Sequence, residues 1–177
     1  MVLRTLRTHE LDEATRAAVV RLCIDAHQEE DFRNLFSYLP PDGLHVLAAL
    51  GEELVGHAVV TTRWLQPLEG PLLRTAYVDA VATSPAQQRH GIGSAVMTQL
   101  ASTLGDYDVA CLDTERVSFY ERLGWERWRG PLAGRSDEGQ LIPTPDQQGV
   151  MILRLPRTPA LDLDTLLTIE VHPARIW

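Results

Sequence analysis

The sequence predicts an α+β fold, and two stretches carry that reading. Residues 44–83 hold three apolar, strand-like runs separated by Gly51-Glu52-Glu53 and by Pro67-Leu68-Glu69-Gly70-Pro71, the pattern of an antiparallel meander. Residues 77–95 read as a buried strand, a short turn and a glycine-bearing loop that opens into a helix. Ile92, Ala95, Val96, Leu100 and Leu104 recur there at helical spacing. A doubly wound nucleotide-binding sheet is excluded, because strands and helices do not alternate along the chain and no Gly-Lys-Ser/Thr follows the glycines.

The elements follow in order. Residues 2–7 form a first strand, and Asp12 caps a helix whose Ala18, Val19, Leu22, Cys23 and Ala26 share one face. Residues 27–42 turn polar and acidic and are expected to be irregular or briefly helical, ending at Pro40-Pro41-Asp42-Gly43. The meander runs through strands at 44–50, 54–65 and 72–83, with Gly56 marking a bulge. A strand at 107–112, a short helix at 115–123 closed by Gly124 and a strand at 125–129 come next. Residues 130–148 are rich in Gly, Pro, Asp and Gln and are expected as a long surface loop. A strand at 150–155 is the last clear one, and the tail offers a short helix around 163–169. No repeat or linker divides the chain, so one domain over 1–177 is expected.

Bulk composition narrows the function. At 177 residues, 45% apolar and 23% charged, the chain has the makeup of a soluble globular protein. Its apolar runs are too short for a membrane span, and the N-terminus lacks a signal-peptide pattern. The net charge of −8 argues against nucleic acid as a partner, while a concentrated acidic cleft would steer a cation. Cys23 and Cys111 give neither a disulfide framework nor a metal spacing and are expected as small buried hydrophobes in a reducing cytoplasm. The six histidines are scattered without ligand spacing, so no metal is expected.

The loop at 88–94 has its own chemistry. A helix start presents backbone N–H groups without intrahelical partners and a partial positive charge, which together hold a phosphate. Gly91 and Gly93 leave room for a pyrophosphate to approach the backbone. Gln88-Arg89-His90-Gly91-Ile92-Gly93 and Phe119-Tyr120-Glu121-Arg122-Leu123-Gly124-Trp125, in this order of elements, resemble the acyl-CoA loop and the aromatic motif of the GNAT N-acetyltransferase superfamily.

That resemblance implies the GNAT fold, a central, mostly antiparallel mixed sheet flanked by helices, and acetyl-CoA (coenzyme A) as acyl donor. It places the pyrophosphate on Gln88, Arg89, His90, Gly91, Ile92, Gly93 and Ser94, and the pantetheine arm along Val81, Ala82 and Thr83. The Val81 N–H would polarise the thioester carbonyl. Tyr120 would protonate the leaving thiolate, a transfer in keeping with ordinary pKa values of about 8.5 for a thiol and about 10 for a phenol.

Trp128-Arg129-Gly130-Pro131, Pro143-Thr144-Pro145-Asp146 and the terminal tryptophan are similar to the aminoglycoside 2′-N-acetyltransferases, and so are Asp31-Phe32, Gly43-Leu44-His45, Tyr77-Val78-Asp79 and Leu161-Asp162. This implies a cationic small-molecule substrate whose amine attacks the acetyl thioester directly in a ternary complex. Asp79 would act as water-mediated base, and Asp31, Asp79, Ala80, Asp113, Asp146 and the Trp177 carboxylate would bind substrate, with Cys111 beside them. Phe36, Gln147 and Arg175 stand where that family carries acids, and new acidity appears only at Asp42. A pocket that has lost three anions suits an atypical aminoglycoside with few amines and an anionic group for Arg175, such as kasugamycin. The resemblance also admits a homodimer. Two other readings stay open: acetylation of another primary amine, such as a polyamine or a peptide N-terminus, and a CoA-binding sensor without turnover.

Overall fold

The meander expected between residues 44 and 83 is present. In the computed structural model, which describes residues 1–172 and 176–177, β2 (Leu44–Leu50), β3 (Glu53–Pro67) and β4 (Leu73–Thr83) are successive neighbours in a sheet. β3 and β4 are long enough to serve both of the compact units into which the chain divides. One unit is Met1–Thr61 with Val78–Thr103, the other Thr62–Tyr77 with Leu104–Trp177.

In the first unit β1 (Val2–Arg7) pairs antiparallel with β2, and β2 with β3. Helix α1 (Glu13–His27) begins where Asp12 Oδ1 accepts the Thr15 N–H at 2.8 Å, the expected cap, and it buries Val19, Leu22 and Cys23. The polar segment after it forms a 3-10 turn (Glu30–Asn34) and the single-turn helix α2 (Leu35–Tyr38). Leu35, Leu39, Leu47, Val59, Ala80 and Ala82 join the α1 face in one core. The bulge expected near Gly56 is there. Gly56 pairs with Ala48 and Leu54 with Ala49, so Val55 is the extra residue. Gly56 also serves packing, since a Cβ there would lie 2.8 Å from Ile92 Cγ2 and 3.1 Å from Val96 Cγ2 on helix α3 (Ile92–Ala101).

In the second unit β5 (Val109–Asp113) runs parallel to β4 over Thr75–Tyr77 and antiparallel to β9 (Val150–Arg154), which carries β6 (Glu126–Arg127) on its far edge. Helix α4 (Val117–Glu121) is followed by Gly124 at φ +85°, in the left-handed region. On the other flank β3 pairs antiparallel with β10 (Leu167–Glu170), β10 parallel with β7 (Leu132–Arg135), and β7 antiparallel with β8 (Leu141–Pro143). Among the recorded pairings only β4 with β5 and β10 with β7 are parallel, so the sheet is mixed and mostly antiparallel, as expected.

Two expectations need correction. Residues 130–148 are not one long loop, because β7 and β8 form a hairpin within them. Residues 163–169 do not make a helix, because 167–169 lie in β10, hydrogen-bonded to β3 on one edge and β7 on the other. Leu167, Thr168 and Ile169 are all buried, and pairing on both edges overrides the weak local preference of so short a segment. Cys23 and Cys111 are free and fully buried, and burial pushes both thiols up, Cys23 to about 12.

Gly56→Ala is expected to cost about 1–3 kcal/mol, because Ile92 and Val96 must give way to the new methyl group. A lowered urea midpoint at unchanged slope would show it; an unchanged midpoint would mean that α3 accommodates the methyl freely.

Candidate active site

The site begins at a kink in β4. Ala80 has φ +46°, a conformation an alanine rarely adopts and one that re-aims a strand as a bulge does. Its neighbours Asp79 and Val81 are half-buried. The recorded parallel pairing of β4 with β5 stops at Tyr77, three residues before the kink. Two imidazoles hold the carbonyls that follow. Ala80 O accepts from His57 Nδ1 at 2.8 Å, and Val81 O accepts from His27 Nε2 at 3.1 Å. His27 in turn stacks on Phe32, with ring centroids 4.9 Å apart.

Beyond the kink the strand passes Ala82 and Thr83 and turns at Pro85–Gln87 into the glycine loop. Arg89 (φ +66°) and Gly91 (φ +82°) both take left-handed backbone, and Gly91 is the residue from which α3 starts. The Ala95 N–H is bonded to Gly91 O at 3.0 Å, so the amides of Ile92, Gly93 and Ser94 precede the first intrahelical bond. Gln88, Arg89, His90 and Gly91 are exposed, and a Cβ built at Gly91 would meet nothing within 4 Å. An open surface of amides at a helix start, with a guanidinium beside it, fits the pyrophosphate of coenzyme A.

The other candidates in this unit lie on the segment between α1 and β2. Asp31 lies exposed on the 3-10 turn. Asp42 is exposed in the turn before β2, where its carbonyl accepts from Arg7 Nη1 at 2.8 Å. Phe36 is half-buried: its ring stacks on His45 at 5.8 Å, and the Arg16 guanidinium lies 5.3 Å from its centroid. That ring is thus largely taken up by packing.

In the second unit Tyr120 is buried on α4, edge-on to Phe119 and Trp125 at 4.9 and 5.9 Å. Desolvation pushes its phenol up to about 12 against the opposing pull of Arg116, so it remains protonated at neutral pH. Asp113 and Asp146 share a cavity of about 470 Å³ with Glu115, Arg127 and Gln147. Asp113 reaches solvent at the rim, yet the surrounding protein crowds its carboxyl and raises its pKa, opposed by hydrogen bonds from the Gln147 side chain and the Thr114 backbone. A larger cavity of about 930 Å³, bounded by Trp125, Trp128, Pro131 and Thr144, is also lined by Gln147 but by none of the predicted catalytic or substrate-binding acids. Trp177 is buried beside Trp128 and Leu132, and its indole N–H donates to Thr144 Oγ1 at 3.0 Å, which fastens this residue to the segment after β8. Arg175 lies outside the described residues.

Sequence reasoning missed the histidine pair. His45 pairs with Val59 and Leu47 with His57 across the β2–β3 hairpin, which makes the two histidines diagonal neighbours, His45 Nδ1 to His57 Nε2 at 2.9 Å. The hairpin register was the signal available, but histidines twelve apart have no helical or metal-ligand spacing. His45 Nε2 lies 3.0 Å from Thr8 Oγ1. Desolvation holds both imidazoles down, His45 to about 3 and His57 to about 4. Among the described residues no group of three or more His, Cys, Asp or Glu could hold a metal, and no helix is long and apolar enough to cross a membrane.

A kinked strand leading into an amide-lined helix start, carried on a mostly antiparallel mixed sheet, is the arrangement of an acyl-CoA-dependent acetyltransferase. The chain belongs to the acetyltransferase (GNAT) family, whose sequence model matches residues 7–125. It is similar to the aminoglycoside 2′-N-acetyltransferase of Mycolicibacterium fortuitum, 29% identical over 180 residues that cover 98% of this chain and 91% of that one. Solved structures share the fold. ElaA of Escherichia coli superposes with a TM-score of 0.60 at 16% identity, over 86% of this chain and 99% of ElaA. The ribosomal-protein-S18-alanine N-acetyltransferase of Escherichia coli gives 0.57 at 18% identity, over 91% and 97%. Eis1 of Mycobacterium abscessus gives 0.59 at 22% identity, over 71% of this chain; the chain spans about a third (31%) of the length of Eis1.

The buried imidazoles make the fold sensitive to mild acid. The unfolded chain's histidines take up protons near pH 6.5, whereas native His45 and His57 stay neutral until about 3 and 4. The unfolded state therefore binds more protons, and stability is expected to fall as the pH drops below about 6.5, before carboxylates titrate. Urea midpoints across that window test this, and replacing both histidines by glutamine should flatten the dependence.

Proposed function

We propose that this chain acetylates the 2′-amino group of an aminoglycoside and so confers resistance to it. The observation that carries this reading is the similarity to an aminoglycoside 2′-N-acetyltransferase over nearly the whole of both chains, with Asp79 and Tyr120 both present. Acetyl-CoA supplies the activated thioester. The amides of Ile92, Gly93 and Ser94, with Gln88, Arg89 and His90 nearby, would hold its pyrophosphate, and residues 81–83 its amide-bearing arm.

Asp79 attracts the ammonium group and orders a water that takes the amine's proton, since a carboxylate with a pKa of about 3.9 is too weak a base to remove it directly. The amine nitrogen then bonds to the thioester carbon. The Val81 N–H donates to the oxyanion that forms. As the carbon–sulfur bond breaks, Tyr120 gives its proton to the sulfur. Its high pKa keeps the phenol protonated at neutral pH, while making it a weaker acid than an ordinary tyrosine.

The substrate favoured is an atypical aminoglycoside with few amines and a carboxylate, kasugamycin being the named candidate. Asp31, Asp113 and Asp146 would receive its cationic side. Phe36 and Gln147 occupy positions where a polycationic substrate would call for acids, and Arg175 would pair with the carboxylate.

Mass spectrometry after incubation with acetyl-CoA and kasugamycin, gentamicin, kanamycin or spermidine tests the assignment. A mass gain on kasugamycin is expected, and a gain on spermidine alone would overturn the aminoglycoside reading. Tyr120→Phe is expected to lower kcat about 100-fold or more while the protein still binds coenzyme A. Arg175→Ala should raise KM for kasugamycin and leave KM for acetyl-CoA unchanged; equal KM values for kasugamycin would remove the guanidinium from the pocket.

A further inference from the structure

The Thr8, His45 and His57 side chains form an unbroken buried chain ending on the Ala80 carbonyl, with links of 3.0, 2.9 and 2.8 Å. All three residues are buried, His45 and His57 completely. The direction of the chain follows from its last member. A carbonyl can only accept, so His57 Nδ1 carries a hydrogen. A neutral imidazole then has a bare Nε2, which must accept from His45 Nδ1. His45 Nε2 is bare in turn and accepts the Thr8 hydroxyl proton at 3.0 Å; the competing acceptor, Gly43 O at 3.2 Å, already accepts the Thr8 N–H at 2.8 Å. Every donor points toward Ala80.

The peptide between Ala80 and Val81 is planar and trans, so its C=O and N–H point in opposite directions. Fixing the Ala80 oxygen on His57 therefore aims the Val81 N–H away from the imidazole. We infer that His57, backed by His45 and Thr8, is a positioning residue that sets the direction and strength of the Val81 N–H as the oxyanion donor. The inference rests on the proposed role of Val81. It accounts for two otherwise costly features, namely an alanine held at φ +46° and two fully buried histidines. Aligned donors also polarise one another, which draws electron density toward the Ala80 oxygen and leaves the Val81 hydrogen more positive. Cys23 Sγ, 3.9 Å from the same oxygen, is too weak a donor to replace the imidazole.

The test compares two substitutions and one spectrum. His57→Leu removes the donor and is expected to lower kcat about 10- to 100-fold, with KM for acetyl-CoA little changed. His57→Asn places a carboxamide N–H where Nδ1 stood and should restore most of kcat, which a purely structural role would not require. Equal kcat values for the parent and His57→Leu, or no recovery in a folded His57→Asn, would overturn the inference. Long-range 1H–15N spectra of the parent should show both rings protonated at Nδ1 and bare at Nε2; the opposite tautomer in either ring would also overturn it. If the parent transfers no acetyl group to any amine offered, the proposed function fails. The relay is still decided by the ring tautomers and by the Val81 amide shift, which should move in His57→Leu and would sink the relay if it did not.

Discussion

The candidate chemistry depends on one constrained peptide unit. A strand running straight through Asp79, Ala80 and Val81 would keep its amides and carbonyls in line for ladder pairing. The left-handed turn at Ala80 breaks that line. Such a conformation persists only where the surroundings overdetermine it, at a cost of about 1–3 kcal/mol. Here the methyl group of Ala80 is buried with Leu22, Leu47 and Val59, and its carbonyl is bonded to His57. Packing thus fixes one side of the residue and a hydrogen bond the other. The half-buried Asp79 and Val81 inherit their directions from that arrangement.

Both units bury polar groups, and they satisfy them differently. The first unit uses neutral imidazoles, whose low pKa values show that the core excludes the charged form. The second buries a cation, Arg63, which stacks 4.9 Å from the Tyr77 ring centroid and pairs with Glu170 at 3.3 Å. Glu170 also accepts the Trp64 N–H at 2.8 Å, so one carboxylate ties β10 to two successive residues of β3. Arg63 Nη1 has no partner among the described residues. Neutral groups in the relay keep a fixed polarity without the desolvation cost of a buried ion, which suits a part that must hold a backbone direction.

Much of the fold was legible because its signals were local. Asp12 before an apolar-periodic run, Gly51 in a short turn and Gly91 at a helix start each act within a few residues. What was not legible is set by distant partners. β10 exists because β3 and β7 flank it, and neither lies within thirty residues of it. The kink falls on Ala80, where no glycine announces a left-handed backbone, and its supports at positions 45 and 57 come together only through the hairpin register and its bulge. The cofactor loop was legible for the opposite reason, since its chemistry uses backbone amides that a short motif positions by itself.

Substrate choice is the least local property, and charge accounting shows why. Asp113 has a raised pKa, so its ionised form is poorly solvated, and a cation arriving beside it would recover that loss. The Gln147 side chain already donates to this carboxylate. A neutral amide there satisfies part of the acceptor capacity without adding negative charge, whereas an acid would add a fourth carboxylate to those of Asp113, Glu115 and Asp146. The cavity holding Asp113, Glu115 and Asp146 also contains Arg127, which offsets one of these three negative charges. Such a surface keeps a net negative charge and would attract a cation without distinguishing one pattern of amines from another. For the substrate proposed above, discrimination would then rest on its group that is not an amine.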